Sequence, residues 1–367
     1  MCGTVRVPLD HARPGAGRIR LAVAVVKSKA ARVKPDPIMF LAGGPGEKVL
    51  VAPAAAALCR ERLRFGTDLS RYTTEQNAKD VDLVRRALSY RRVNLLANSY
   101  GTDLALAVMR GDPRWVRSAL LSSPAPPQSN FIADAGPSDH RALDALLAAC
   151  RADAACNAAH PDPAARLDAL IRQLAAQPAS VSVPDPRTGR PVVVPITAGL
   201  VSALLYQLFY VPFGPEVLPA LVEELAAGRS VPQAFIDYNP IIGTRVFDLC
   251  EAIDVPPRPS AARAVGSAVP ALVVTGEFDQ ITPPSYGRQA VRSLSRGRLI
   301  AARGVGHSPI LALGGCGERI MRAFFGKPRR APAAACARRP VRFLAPEAAA
   351  ARRAGALPRN AFAFPPR

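Results

Sequence analysis

Val93-Asn94-Leu95-Leu96-Ala97-Asn98-Ser99-Tyr100-Gly101-Thr102 decides how the rest of the chain is read. Val93–Ala97 is a short apolar run of the kind that forms a buried strand, and Leu104–Met109 continues as a helix until Gly111-Asp112-Pro113 stops it. Between them, in Ala97-Asn98-Ser99-Tyr100-Gly101, small residues stand two before and two after a serine. A serine so flanked can occupy a strained strand-to-helix turn that lifts its hydroxyl to the carboxyl edge of a sheet, above a helix N-terminus. Ala97 stands where the usual pattern has glycine, so the strand-turn-helix setting carries more weight than S-x-G alone.

Upstream, Thr4–Leu9 and Arg18–Lys27 read as strands separated by Arg13-Pro14-Gly15, and Ile38–Leu41 as an apolar strand ending in Gly43-Gly44-Pro45-Gly46. Thr73-Thr74-Glu75-Gln76 fits a capping box opening a helix with Ala78, Val81, Val84 and Leu88 on its buried stripe. Downstream, Ala119–Leu121 is a further strand, followed by helices at Arg141–Cys150, Pro163–Ala175, Thr197–Tyr210 and Pro215–Ala226. Ala271–Thr275 and Leu299–Ala302 return as buried strands, and Leu311–Phe325 as a helix. The pattern predicts an α/β fold: a mostly parallel sheet with helices on both faces, a core of residues 1–124 and 267–326, and an inserted helical cap at 125–266.

A chain of 367 residues can bury a large core, and 49% hydrophobic with 21% charged residues excludes a disordered or fibrous protein. Aromatics at 6%, with Trp115 alone of its kind, argue against a nucleic-acid stacking platform, and no specific nucleic-acid partner is expected. The net charge of +20 is uneven: from Gly326 onward ten Lys and Arg face Glu347 alone. Residues 327–367 read as a loosely ordered, basic Ala/Pro/Arg-rich extension, where any polyanion contact would sit; a solvated basic surface is the plainer reading. Seven cysteines without a CxxC pair and four histidines predict no metal site, and no cofactor is called for. Cys150 and Cys156 are close enough to bridge across a short helical turn; buried reduced thiols fit equally well, and the odd count leaves at least one thiol free. No signal peptide is visible at the start. The uncharged stretch Pro191–Pro215 is broken by Pro195, Gly199, Gln207 and Pro212, so no transmembrane segment is predicted.

A nucleophilic serine needs a base and a group to orient that base. Asp279 follows the Ala271–Thr275 strand in Gly276-Glu277-Phe278-Asp279, and His307 follows the Leu299–Ala302 strand in Gly304-Val305-Gly306-His307. Alone, the aspartate is a turn residue and the histidine a surface or core residue; together, Ser99, Asp279 and His307 stand in α/β-hydrolase order, each after a strand. The glycine loop lets backbone approach a developing oxyanion, with the N–H groups of Gly44 and Tyr100 as the expected donors.

Over most of its length the chain resembles the proline iminopeptidase and tripeptidyl aminopeptidase family of α/β-hydrolases. The resemblance rests on Cys2-Gly3 with Val7-Pro8-Leu9-Asp10, on Leu41 through Gly46, on Tyr72-Thr73-Thr74 and on Ser99-Tyr100-Gly101-Thr102. It continues through Gly276 to Asp279 with Thr282-Pro283-Pro284, Gly304 to His307, and the stretch from Cys150 to Cys156 followed by His160-Pro161-Asp162. It implies a serine exopeptidase that releases N-terminal residues of proline or tripeptide type from peptides, disulfide-bonded cap cysteines, and a periplasmic or secreted location. An esterase on small acyl esters and a catalytically impaired homologue remain compatible with the same residues, and the oligomeric state is left open.

Two departures stand out. The family's strand ending in an Arg-Gly-x-Gly-x-Ser loop has no counterpart here: after a helix predicted near Val49–Leu63 comes Arg64-Phe65-Gly66-Thr67-Asp68-Leu69-Ser70, with no apolar run of strand length. One sheet strand is therefore predicted to be missing, exposing an edge beside Ile38–Leu41. The region after Cys250 is also short, and the family's cap carboxylates that hold the substrate amine would fall there, with Glu251 and Asp254 as candidates.

Overall fold

The computed structural model describes residues 1–31, 33–44, 61, 68–184, 188–227 and 262–344. Within them β1 (Cys2–Pro8) and β2 (Arg18–Ala24) form an antiparallel hairpin of their own. It is tied to α1 (Thr74–Ala87) by polar contacts: Gln76 accepts from the His11 N–H at 3.1 Å and donates to Asp10 at 3.3 Å. The Thr73 cap read from sequence is present, its hydroxyl accepting from the Gln76 N–H. Of the stripe expected on α1, Val81 is buried, while Ala78, Val84 and Leu88 are half-buried.

β3 (Ile38–Leu41), β4 (Val93–Asn98) and β5 (Val116–Ser122) run parallel, with α2 (Tyr100–Gly111) joining the last two. The chain then leaves the sheet for α3 (Phe131–Ala152), α4 (Ala154–Ala159) and α5 (Pro163–Ala176), a hairpin of β6 (Ala179–Pro184) and β7 (Pro191–Ile196), and α6 (Ala198–Leu208) and α7 (Gly214–Ala226). It returns as β8 (Ala271–Gly276), α8 (Pro284–Arg292), β9 (Gly297–Ala302), α9 (Pro309–Ala312) and α10 (Gly315–Gly326). The sheet order is β3-β4-β5-β8-β9, every pair parallel. Apolar side chains of α2 such as Leu106 and Met109 cover one face; Ile320 and Phe324 of α10 cover the other. That two-sided burial is why the inner strands read as apolar runs, all six residues of β8 being buried; β9, expected to be buried, is instead the sheet's edge, with only Ala302 buried and Leu299 37% exposed. A third core, with Leu146, Leu167, Leu218 and Phe209, holds the helices of the insertion together and reaches Phe278, beside the acid loop.

The stretch in which the sequence analysis expects a strand to be missing, 45–67, lies outside the described residues apart from position 61. Among the described residues β3 pairs with β4 alone, and Ile38 and Phe40 are 52% and 48% exposed. The helix expected near Val49–Leu63 lies almost wholly outside the described residues.

Several expectations need correction. The inserted segment, expected as a helical cap, also holds the β6–β7 hairpin, in which the short β-like run at Val192–Val194 lies on β7. The helix read as Leu311–Phe325 is two, broken where Gly314 takes a positive φ of 52°. The basic extension is not loose over 327–344. Cys336 is bridged to Cys316, the Arg303 N–H donates to Ala337 O at 2.8 Å, Ala337 and Val341 are buried, and the Leu344 N–H donates to Glu216 O. Scarce apolar periodicity hid this docking, because a few buried residues and one covalent link hold the segment. Cys150 and Cys156 are also bridged, Cys2 is exposed and free, and Cys59 and Cys250 fall outside the described residues. No described helix is long and apolar enough to cross a membrane, and no group of His, Cys, Asp and Glu among the described residues could hold a metal ion.

Candidate active site

Ser99 sits between β4 and α2 with φ 54° and ψ −129°, a backbone conformation that costs a non-glycine residue on the order of 1–3 kcal/mol. The turn is held by the Ser99 N–H donating to Ser122 O at 2.9 Å and by the Thr102 side chain donating to Ser99 O at 2.6 Å. Gly101 explains the small residue two positions on: a Cβ there would lie 2.1 Å from Leu41 O and 2.6 Å from Ala42 O. The end of β3, and with it the start of the glycine loop, is thus packed against the elbow. Gly44 follows with φ 104° and is exposed; Pro45 and Gly46 lie outside the described residues. Tyr100 opens α2, where the first N–H groups have no helical acceptor.

Asp279 is fully buried in the loop after β8. Its carboxylate accepts from the Ile281 and Thr282 N–H groups at 3.1 and 2.8 Å, the Thr282 hydroxyl at 2.8 Å and the Ser123 hydroxyl at 2.6 Å. His307 Nδ1 lies 3.0 and 3.1 Å from its two oxygens. Burial alone would raise this carboxyl, but the His307 charge and the bonds from His307, Ser123 and Thr282 outweigh it and hold the group below the ordinary carboxylate range. An acid kept ionised beside Nδ1 fixes the imidazole tautomer that leaves Nε2 free to accept a proton.

His307 is 4% exposed and gripped from the insertion: its N–H donates to Phe209 O at 2.7 Å, and the Tyr210 ring meets the imidazole edge-on at 4.9 Å. The loops close through glycines, since a Cβ on Gly276 would lie 2.0 Å from Gly306 O and one on Gly306 2.1 Å from Phe209 O. The Ser123 hydroxyl, besides donating to Asp279, accepts from the Ser308 N–H at 2.8 Å, and Asn98 donates to the Ser308 hydroxyl at 2.8 Å. Asp279 and His307 are therefore in direct contact, and Ser99 shares their rim through its neighbour Asn98. Among the described residues the Ser99 hydroxyl makes no hydrogen bond. Glu251 and Asp254 lie outside the described residues.

A family model described as TAP-like protein (Abhydrolase_4) matches residues 239–336, a span that contains both Asp279 and His307. By fold, the chain is an α/β-hydrolase. Among solved structures it is similar to a proline iminopeptidase from Mycobacterium smegmatis at 16% identity, covering 89% of this chain and 99% of that one at a TM-score of 0.42. A thermophilic esterase from Thermogutta terrifontis matches at 15% identity, 89% and 100% coverage and a TM-score of 0.41. The hydrolase MGS-M2 from a Medee basin deep-sea metagenome library matches at 12%, 82% and 92%, again at 0.41. These scores lie below 0.5 and add nothing to what the topology carries. No curated protein matches the sequence.

Three residues of the site were not singled out by sequence reasoning. Thr282 was legible in hindsight, because an aspartate three residues before it can accept its N–H as at a turn. Ser123, with φ 53° directly after β5, carried no local mark. Arg141 of α3 donates to Glu277 O at 3.0 Å and Asp279 O at 2.6 Å, clamping the acid loop from the insertion across 138 residues of chain.

Proposed function

We propose that this α/β-hydrolase is a serine hydrolase, and specifically an aminopeptidase that releases N-terminal residues of proline or tripeptide type through an acyl-enzyme on Ser99. The observation that carries the reading is the buried Asp279–His307 pair, bonded through Ser123 to the rim on which Ser99 is lifted by its positive-φ turn. In this reading residues 1–124 and 267–326 form the core and 125–266 the cap.

Substrate binding draws the Ser99 hydroxyl and His307 Nε2 into line, since such bonds commonly tighten only in the complex. Ser99 Oγ attacks the carbonyl as His307 takes its proton, and Asp279 stabilises the resulting imidazolium. The oxyanion is held by the N–H groups of Gly44 and Tyr100, each worth about 10²–10³ in turnover. The C–N bond breaks as His307 protonates the leaving amine, and water, deprotonated in turn by His307, hydrolyses the ester. Glu251 or Asp254 neutralises the free amino terminus and so confines cleavage to chain ends. None of these steps uses a metal or an organic cofactor.

The test is labelling by a fluorophosphonate probe together with turnover of proline and tripeptide amides and short nitrophenyl esters. Labelling that disappears in Ser99→Ala, with amides turned over, is the expected result. Folded protein that never labels overturns the serine-hydrolase reading, and turnover of esters alone replaces the peptidase by an esterase.

A further inference from the structure

We propose that the opposite edge of the sheet carries a binding site for a small multivalent phosphate, two or three linked phosphate groups that are free or at the end of a larger molecule. A cavity of about 630 Å³ opens there, lined by residues at the amino ends of the strands: Arg92 before β4, Arg117 at the start of β5, Pro270 before β8 and Arg296 before β9. Ser99, Asp279 and His307 follow the carboxyl ends of the same strands, so this cavity is separate from the candidate active site.

Its lining is chemically one-sided. To Arg92, Arg117 and Arg296 are added Arg114 and, from the segment after α10, Lys327, Arg329 and Arg330; no acidic residue is among the described lining. Among the described residues these seven cations meet only two carboxylates. Asp36 lies 3.4 Å from Arg92 and 3.3 Å from Arg117, and Asp112 pairs with Arg114 at 2.9 Å. Two helices, α2 ending at Gly111 and α10 at Gly326, also point their carboxyl ends this way. Each end contributes roughly half a negative charge, about one in all. Seven against about three leaves an excess of about four positive charges around one cavity. Arg296, Lys327, Arg329 and Arg330 have no acidic partner among the described residues, and the Nε of Arg92 is buried without any hydrogen-bond partner. An excess of positive charge around one cavity is relieved by an anion that several guanidinium forks can grip at once, which is the geometry of phosphate.

The size of the space selects the ligand. About 630 Å³ lies within the range of small-molecule sites, and the uncharged part of the lining, Pro113, Val116, Val269 and Pro270 among it, contains no aromatic ring on which a base could stack. The segment carrying Lys327, Arg329 and Arg330 is held in place: Arg298 donates to Arg329 O at 2.6 Å, and the Cys316–Cys336 bridge closes the segment back onto α10. The cations are thus presented by fixed backbone and not by the terminal residues beyond 344.

The experiment is calorimetric titration of the full chain with inorganic triphosphate and with ATP at two salt concentrations. Saturable one-to-one binding of both, weaker at high salt, is expected. The double variant Arg296→Ala/Arg330→Ala, two exposed side chains without hydrogen bonds, should weaken it at least tenfold. Arg18→Ala/Arg20→Ala, an equal loss of charge on the β1–β2 hairpin, should change it less than twofold; thermal melts establish that both variants fold. Non-saturable binding, or equal losses in the two variants, reduces the cavity to diffuse surface charge and overturns the proposal. So does tight binding of single-stranded DNA with no binding of triphosphate.

Discussion

The two rims of one sheet treat charge in opposite ways. At the carboxyl rim a single buried carboxylate, Asp279, receives bonds from Ser123, Ile281, Thr282 and His307. At the amino rim Arg296, Lys327, Arg329 and Arg330 stand exposed without acidic partners among the described residues. Burial with every bond satisfied makes a group rigid and fixes its ionisation, which suits chemistry; exposure with none satisfied leaves a field waiting for a mobile ion, which suits binding. Glycines reinforce the contrast at the first rim, where Gly276, Gly306 and Phe209 O are stacked with no room for a Cβ.

The sharpest way to break this contrast is Asp279→Asn. The loop keeps its shape, but the amide cannot enforce the productive His307 tautomer, and kcat should fall about 10⁴-fold in peptide-amide turnover. The same variant tests the carboxyl's stability role. Because the folded Asp279 titrates below its ordinary value of 3.8, it stabilises the protein above that pH and the contribution is lost as pH falls through the lower folded value. Melting curves between pH 2 and 7 should show a shallower acid limb in the variant.

Next in size is the covalent link that carries cations to the amino rim. Cys336→Ser opens a bridge spanning 20 residues, worth about 3 kcal/mol, and should lower the melting temperature of the oxidised protein while weakening triphosphate binding. Amide turnover per folded molecule should change little, which keeps the two rims distinct.

Arg141→Met removes both bonds that hold the acid loop from α3. A loss of roughly 1.4 kcal/mol of positioning energy corresponds to a tenfold fall in kcat with KM nearly unchanged, and Arg141→Lys should restore part of it. Equal falls in kcat for the lysine and methionine variants would mean that fork geometry, and not charge alone, sets the loop.

The smallest effect is expected at Asp103, in the first turn of α2 below the elbow. Burial pushes its carboxyl up to about 6 despite a bond from Thr74. A folded value above the ordinary one makes the protein lose stability as pH rises from 3.8 through about 6. Asp103→Asn should therefore gain a few degrees at pH 7 and almost nothing at pH 3, read by thermal melts.

Much of this was legible before any coordinates. β4, β5 and β8 stood out because strands covered on both faces are largely apolar, and the edge strand β9 through its short apolar run; Ser99, Asp279 and His307 stood out because each follows one of those runs. The expected loss of a strand between Gly46 and Ser99 falls largely on residues 45–60 and 62–67, outside the described residues; among the described residues β3 pairs with β4 alone. Glu251 and Asp254 lie outside the described residues, and no periodicity in the sequence anchors the stretch around them.

By itself, then, the order of residues set which segments become strands and helices and which three side chains face the carboxyl rim, because burial period and turn chemistry act over a few neighbours. Tertiary packing alone decided that Ser123 would bond Asp279 across 156 residues, that Arg141 would clamp the acid loop, and that Cys316 would capture Cys336. It also gathered arginines from four separate segments around one cavity. Such contacts depend on the register of whole elements against each other, and no short stretch of chain encodes that register locally.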